Sequence, residues 1–171
     1  GEDLGMIPAT VPQVMSDLRI LSLEIQRMPK SVEETFAHPC NYPYLSVCTT
    51  STHDMNPVRA WWEEDREVTQ QFWNMLLGNH GAAPQFCEPW ICEQVVSMHL
   101  KSPAMLTVLP LQDWIAMDGN LRRENPNDER INVPANSRHY WRYRMHLTLE
   151  ELLKSDDLNN MICHKIAESG R

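Results

Sequence analysis

No stretch of this 171-residue chain stays apolar for anything near the ~20 residues a membrane helix needs, and no leader of the charged-then-apolar kind opens it. The missing leader excludes little, because the chain begins on Gly1-Glu2-Asp3-Leu4-Gly5 without an initiator Met. Basic charge is also scarce: 15 Lys and Arg stand against 23 Asp and Glu, for a net charge of -8 and a pI near 5.3. No basic run makes a local patch, so a phosphate-backbone partner, and with it a nucleic-acid role, is excluded. The five cysteines (Cys40, Cys48, Cys87, Cys92, Cys163) contain no CxxC pair. Their odd number reads as buried, reduced thiols of a cytosolic protein rather than a zinc site or a disulfide framework. His38, His80, His99, His139, His146 and His164 lack the mutual spacing of a metal-binding pair, so no metal is expected.

What remains is a globular composition, 42% hydrophobic and 22% charged with a mean hydropathy of -0.46, in a chain long enough for one domain with its own core. Residues 44–65 organise it. Apart from Leu45, Tyr44 to Thr50 are β-branched, aromatic or small, without Gly or Pro, which suits a buried strand. From Asn56 the pattern turns helical, with Pro57 in the first turn and Glu63, Glu64 and Asp65 after two tryptophans. Thr52-His53-Asp54 lies between the two. A histidine and a carboxylate therefore stand at the C-terminal mouth of a strand, where parallel α/β folds hold ligands.

In chain order, Thr10 and Pro12 open a helix carrying Val11, Val14, Met15 and Leu18, and Ile20 to Gln26 alternates like a strand. Residues 31–43 read as a loop over the site. One helix is expected from about Pro57 to Leu77, with Trp61, Val68, Phe72 and Met75 on its apolar face, and another from about Glu88 to Leu100. Ala104 to Leu109 reads as a strand ending at Gln112-Asp113, and residues 118–139 as a long surface loop. The run His139 to His146 reads as a packed segment that closes the fold, and Thr148 with Glu151 as a capping box for a last helix, Leu149 to Ala167.

Strands alternating with helices predict an α/β fold with a parallel sheet. Three parallel strands leave two edges open, so the expected architecture is the C-terminal half of a (β/α)8 TIM-type barrel, incomplete in this chain, with residues 1–171 as one portion of a single catalytic barrel. In such a barrel the strand-end residues Glu2, Gln26, His53, Asp54, Gln112 and Asp113 converge on one face. Paired carboxylates there suit glycoside chemistry, in which an acid protonates the leaving oxygen and negative charge steadies an oxocarbenium-like transition state.

Four ordered motifs carry a resemblance to a family: Gly1 to Gly5; Thr52-His53-Asp54; Leu109-Pro110-Leu111-Gln112-Asp113; and Arg130-Ile131-Asn132-Val133-Pro134 followed by Tyr140-Trp141-Arg142-Tyr143-Arg144. In order and spacing they resemble the 4-alpha-glucanotransferases of glycoside hydrolase family 77. His53-Asp54-Met55 running into Arg59-Ala60-Trp61-Trp62-Glu63-Glu64-Asp65 is more similar to the cytosolic plant and Bacteroides-type enzymes than to the short bacterial ones. The resemblance implies a retaining transfer between α-1,4-glucans, donor and acceptor both glucan or maltooligosaccharide, in the cytoplasm and without a cofactor. It implies Glu2 as general acid/base, Asp54 as the carboxylate that binds sugar hydroxyls and stabilises the transition state, and His53 as a hydroxyl donor. Gln26, Gln112 and Asp113 are the remaining candidates for substrate contact. The family's aspartate nucleophile lies on the strand before the one that ends at Glu2, outside these residues. An N-terminal half of the barrel is thus expected in the full-length protein, and this polypeptide alone is expected to be inactive.

Other readings stand beside these. Glu2 is also a loop acid near a helix start, Asp54 an N-cap for the Pro57 helix, and Gln112-Asp113 a structural strand-end cap. Of the adjacent Trp61 and Trp62 only one can face the core, which leaves the other to a loop or a sugar. Hydrolysis of α-glucan, or glucan binding without catalysis, are the alternative functions.

Overall fold

The computed structural model describes all 171 residues. Its frame is a three-stranded sheet of β1 (Ser22–Ile25), β2 (Ser46–Thr49) and β3 (Leu106–Thr107), in that spatial order. Both pairings are parallel, with Ser22 opposite Ser46 and Val47 opposite Leu106. β2 is central and its burial follows, with Ser46, Cys48 and Thr49 all buried. β3 is shorter than the expected 104–109, since only Leu106 and Thr107 pair with β2, opposite Val47 and Cys48. The amides of Met105 and Val108 still donate to the carbonyls of Tyr44 and Cys48, which brackets the strand. As expected, β1 and β3 each keep an unpaired edge.

Helices α1 (Val11–Asp17), α2 (Val58–Trp62), α3 (Arg66–Met75), α4 (Pro89–Leu100), α5 (Leu111–Ile115), α6 (Leu149–Leu153) and α7 (Asp156–Ser169) complete the chain. Two expected helices are each split. The acidic run after Trp62 breaks the first, because the Asp65 carboxylate accepts the amides of Glu67 and Val68 and so starts α3 afresh. The restart rotates the apolar face: Trp73 is buried and Met75 is exposed, contrary to the single-helix expectation. At the other end Thr148 and Glu151 form the expected capping box, but Lys154 and Ser155 separate α6 from α7.

The main core lies between α2, α3, α4, α5 and α7 and holds Trp62, Phe72, Ile91, Val95, Ile115 and Leu158. Trp62 is the inward tryptophan, with its indole N–H donating to the Pro84 carbonyl. Trp61 is half-buried under the Arg27 guanidinium, 4.9 Å from the ring centre, which occupies a face a sugar would need. Residues 31–43 do not cover the candidate site. Phe36 packs edge-on against Phe72, and Tyr42 lies beside His99, so this segment belongs to the helical side. Of the cysteines, Cys48, Cys87 and Cys92 are buried as expected, whereas Cys40 and Cys163 are exposed.

The run 139–146 forms no regular element, and Tyr140 and Trp141 are exposed, so it is not the packed closing segment expected. Its aromatics pair instead with side chains, Tyr140 with Arg142 and Tyr143 with Arg123. No helix is long and apolar enough to cross a membrane.

Leu158 is the one buried residue of α7 and attaches that helix to the core. Leu158→Ala is expected to destabilise the protein by about 2–5 kcal/mol, through lost transfer energy and the cavity left behind. Chemical denaturation of both proteins checks this.

Candidate functional site

The site grows from the end of β2. Thr50 and Ser51 are buried, Thr52-His53-Asp54 turns outward, and Asn56 and Pro57 are buried again before α2. Two side chains, buried Asp113 and half-buried Arg27, hold the ends of this excursion. Asp113 accepts Thr50 Oγ1 at 2.5 Å and Ser51 Oγ at 3.1 Å on one carboxylate oxygen, and the Val58 amide at 2.9 Å on the other. From the opposite side Arg27, just past β1, donates to the carbonyls of Thr50 (2.8 Å) and Asn56 (2.9 Å). Desolvation lowers the Arg27 guanidinium to about 10, partly offset by the charges of Asp113 and Glu64, so it stays protonated at neutral pH. The turn between these anchors is therefore a fixed projection rather than a loose loop.

On that projection His53 Nε2 lies 3.5 Å from Asp54 Oδ1, with both side chains about half exposed. Asn132 Nδ2 donates to the same Asp54 oxygen at 2.6 Å, and the Trp141 ring lies 5.0 Å from the His53 ring. Below them a small cavity of about 60 Å³ is bounded by Thr52, His53, Gln112, Glu129 and Ile131. An exposed carboxylate, an imidazole, an amide and an indole face thus gather at the C-terminal end of a parallel strand. Such a set can bind hydroxyl groups and place negative charge beside a developing cation.

The other expected residues are placed as follows. Gln26 is 1% exposed, with its amide toward Met98 Sδ, so it faces α4 and makes no contact with a ligand from solvent. Asp113 is 1% exposed and its oxygens are used by three protein donors. It is the structural cap of the alternative reading, and it caps α2 in the role considered for Asp54. The strand-end expectation failed because Pro110 begins α5, which draws Gln112 and Asp113 into a helix. Gln112 borders the small cavity, but its amide donates inward to the Glu129 carbonyl at 3.3 Å. Glu2 is exposed, and no hydrogen bond or ion pair joins it to His53 or Asp54. Its neighbours lie along β1: the Gly1 amine donates to the Leu21 carbonyl, and Asp3 accepts the Leu23 amide. Asp3 and Glu24 share Lys30, each at 2.7 Å. Burial would raise the Asp3 carboxyl, but Lys30 and the Leu23 amide outweigh it and hold it below its ordinary value.

Asn132 and Trp141 had no role assigned from sequence, although both stand inside motifs. Of Arg59 and Glu129, which anchor the segment bearing Asn132, the first stands in a motif without an assigned role and the second gave no signal. No group of three or more His, Cys, Asp or Glu is close enough to hold a metal ion.

With this geometry in view, comparison with known proteins is informative. The family model for 4-alpha-glucanotransferase matches residues 1–149. The chain is 40% identical over 171 residues to a 4-alpha-glucanotransferase DPE2 of Oryza sativa subsp. japonica, covering all of this chain and 18% of the rice protein. It is 30% identical over 165 residues to the 4-alpha-glucanotransferase of Chlamydia muridarum, covering 95% of this chain and 31% of that protein. An amylomaltase from Streptococcus agalactiae, solved in complex with acarbose, superimposes with a TM-score of 0.72 at 19% identity, over 99% of this chain and 31% of that one. The chain thus spans a fifth to a third of the length of these relatives, and its fold is of the amylomaltase type. The match over 149 of its residues and the agreement with relatives along its whole length place it by descent: this chain belongs to the 4-alpha-glucanotransferase family, glycoside hydrolase family 77.

Proposed function

We propose that the protein carrying this chain is a 4-alpha-glucanotransferase. It would move a segment of an α-1,4-glucan to the 4-hydroxyl of an acceptor glucan or glucose by a retaining double displacement. The observation that carries the reading is the His53-Asp54 projection, held rigid at the end of a parallel strand in a chain of this family. In this reading Asp54 binds sugar hydroxyls and stabilises the oxocarbenium-like transition state, and His53 donates to a hydroxyl. Glu2 protonates the departing oxygen and then deprotonates the acceptor. The nucleophilic carboxylate comes from the longer protein. Residues 1–171 are then the C-terminal portion of one (β/α)8 catalytic barrel, with further strands beside the open edges of β1 and β3. The run from His53 to Asp65, which resembles the cytosolic plant branch, supports a cytoplasmic setting.

The test is to incubate the purified full-length protein with maltotriose and resolve the products by size. Glucose together with a ladder of longer maltooligosaccharides is expected. Glucose and maltose without longer products would mean that water is the acceptor, and an unchanged substrate would sink the proposal.

A further inference from the structure

Residues 123–132 form an arch that begins and ends on the segment bearing His53 and Asp54. At its near end Arg59, on α2 and 4% exposed, donates to the carbonyls of Arg123 (2.8 Å) and Glu124 (3.4 Å). In the middle Glu129, 1% exposed, places Oε1 3.5 Å from Arg59 Nη1. Gln112 holds the Glu129 carbonyl from α5. At the far end Arg130 Nε donates to the Asn132 carbonyl at 2.8 Å and His139 meets the Ile131 carbonyl at 2.9 Å, so that Asn132 presents its amide to Asp54. Asn132 is the one hydrogen-bond donor to the Asp54 carboxylate; His53 Nε2 lies beside it at 3.5 Å.

We propose that Arg59 and Glu129 are positioning residues for Asp54: their buried pair pins the arch to α2 and thereby keeps Asn132 on the Asp54 carboxylate. The pair is incompletely satisfied, since Glu129 Oε2 and Arg59 Nε are both buried without a partner. A buried pair of this kind is costly to hold fully charged, and the cost sets the direction of a pH response. Burial pushes the Glu129 carboxyl up to about 7, against the pull of Arg59; the Arg123 backbone and then its guanidinium also lower it and Asp113 on α5 raises it, while Tyr143 lies within its field and His53 faces it across the small cavity. In an opened arch the carboxyl regains its ordinary value of 4.5. Closing therefore takes up a proton between these two values. Closure is tightest below the lower one and loosens as pH rises, until Glu129 is ionised in both states above about 7.

The experiment is hydrogen–deuterium exchange of peptides spanning 123–132 in the full-length protein and its Glu129→Gln variant, at pH 5.5 and 7.0, corrected for intrinsic rates. Opening of the wild-type arch is expected to rise about tenfold between the two, and that of E129Q, which keeps His53, by less than twofold. Equal pH dependence in both proteins would overturn the proposal. The role toward Asp54 rests on the glucan-transfer reading and has its own arm. Glu129→Ala, which strands the Arg59 charge, is expected to lower kcat on maltotriose about tenfold with KM changed less than twofold, and E129Q to restore most of it. An E129A enzyme with an opened arch and unchanged kcat would overturn the positioning role. A wild type that transfers no glucan would sink the glucan-transfer reading instead and leave the exchange result to decide the arch.

Discussion

Replacing Asp54 by Asn in the full-length protein is expected to lower kcat/KM for maltotriose about 10³-fold, while its melting temperature stays within about a degree. The two halves of this expectation come from the same geometry. Asp54 is about half exposed, and its one close hydrogen bond comes from Asn132, which an Asn carbonyl oxygen also accepts. Substitutions at exposed positions usually change stability by no more than about 0.5 kcal/mol. Catalysis is different, because a carboxylate beside a developing oxocarbenium ion acts mainly in the transition state. A factor of 10³ corresponds to about 4 kcal/mol of lost stabilisation, in keeping with the loss of one preorganised electrostatic group. Parallel rate measurements and thermal melts decide it. Activity within a few-fold of wild type would remove Asp54 from the mechanism, and a large drop in melting temperature would mark it as structural.

The parts of this site that could be read in the sequence are those specified locally. His53 and Asp54 are adjacent, follow a strand-like run and precede Asn56-Pro57, so their place at a strand end needs no knowledge of the rest of the chain. Thr148 and Glu151 are legible for the same reason, being three positions apart in one motif. Asp65 carried an equally local signal, a capping carboxylate two residues before Glu67, but the continuing apolar period through Val68 and Phe72 hid the restart of the helix.

What could not be read depends on contacts made across long separations. Asn132 meets Asp54 over 78 positions, and no periodicity connects an amide in a loop to a carboxylate on a turn. Arg59 and Glu129 lie 70 positions apart, and only the fold shows that the arch pairs and buries them. Gln26 was misread because adjacent side chains past β1 take different sides: its amide goes to α4, while its neighbour Arg27 reaches the carbonyls that hold the site. Polar residues at a strand end thus divided between holding the site and presenting it.

Asp113 shows how much stability that division carries. Asp113→Ala is expected to destabilise the protein by about 3–5 kcal/mol, the range for breaking a buried charged network by removing one partner. The substitution leaves the Thr50 and Ser51 hydroxyls and the Val58 amide without their acceptor in a region closed to water, each costing about 1–3 kcal/mol if nothing replaces it. It also removes a negative charge that compensates Arg27, whose Nη1 is already buried without a partner. Some of this is recovered because the two hydroxyls can turn to other acceptors, which keeps the total below the simple sum. Asp113→Asn should fall in between at about 1–3 kcal/mol, since its carbonyl oxygen can still receive the Val58 amide and its amide can donate to a rotated hydroxyl. Denaturant unfolding followed by tryptophan fluorescence would give the order wild type, D113N, D113A. Because the lost bonds anchor both ends of residues 50–58, D113A should also free the His53-Asp54 projection, and exchange of its amides should rise more than exchange in α4. A D113A protein as stable as wild type would mean that Arg27 alone holds the turn, and the two-sided clamp would have to be abandoned.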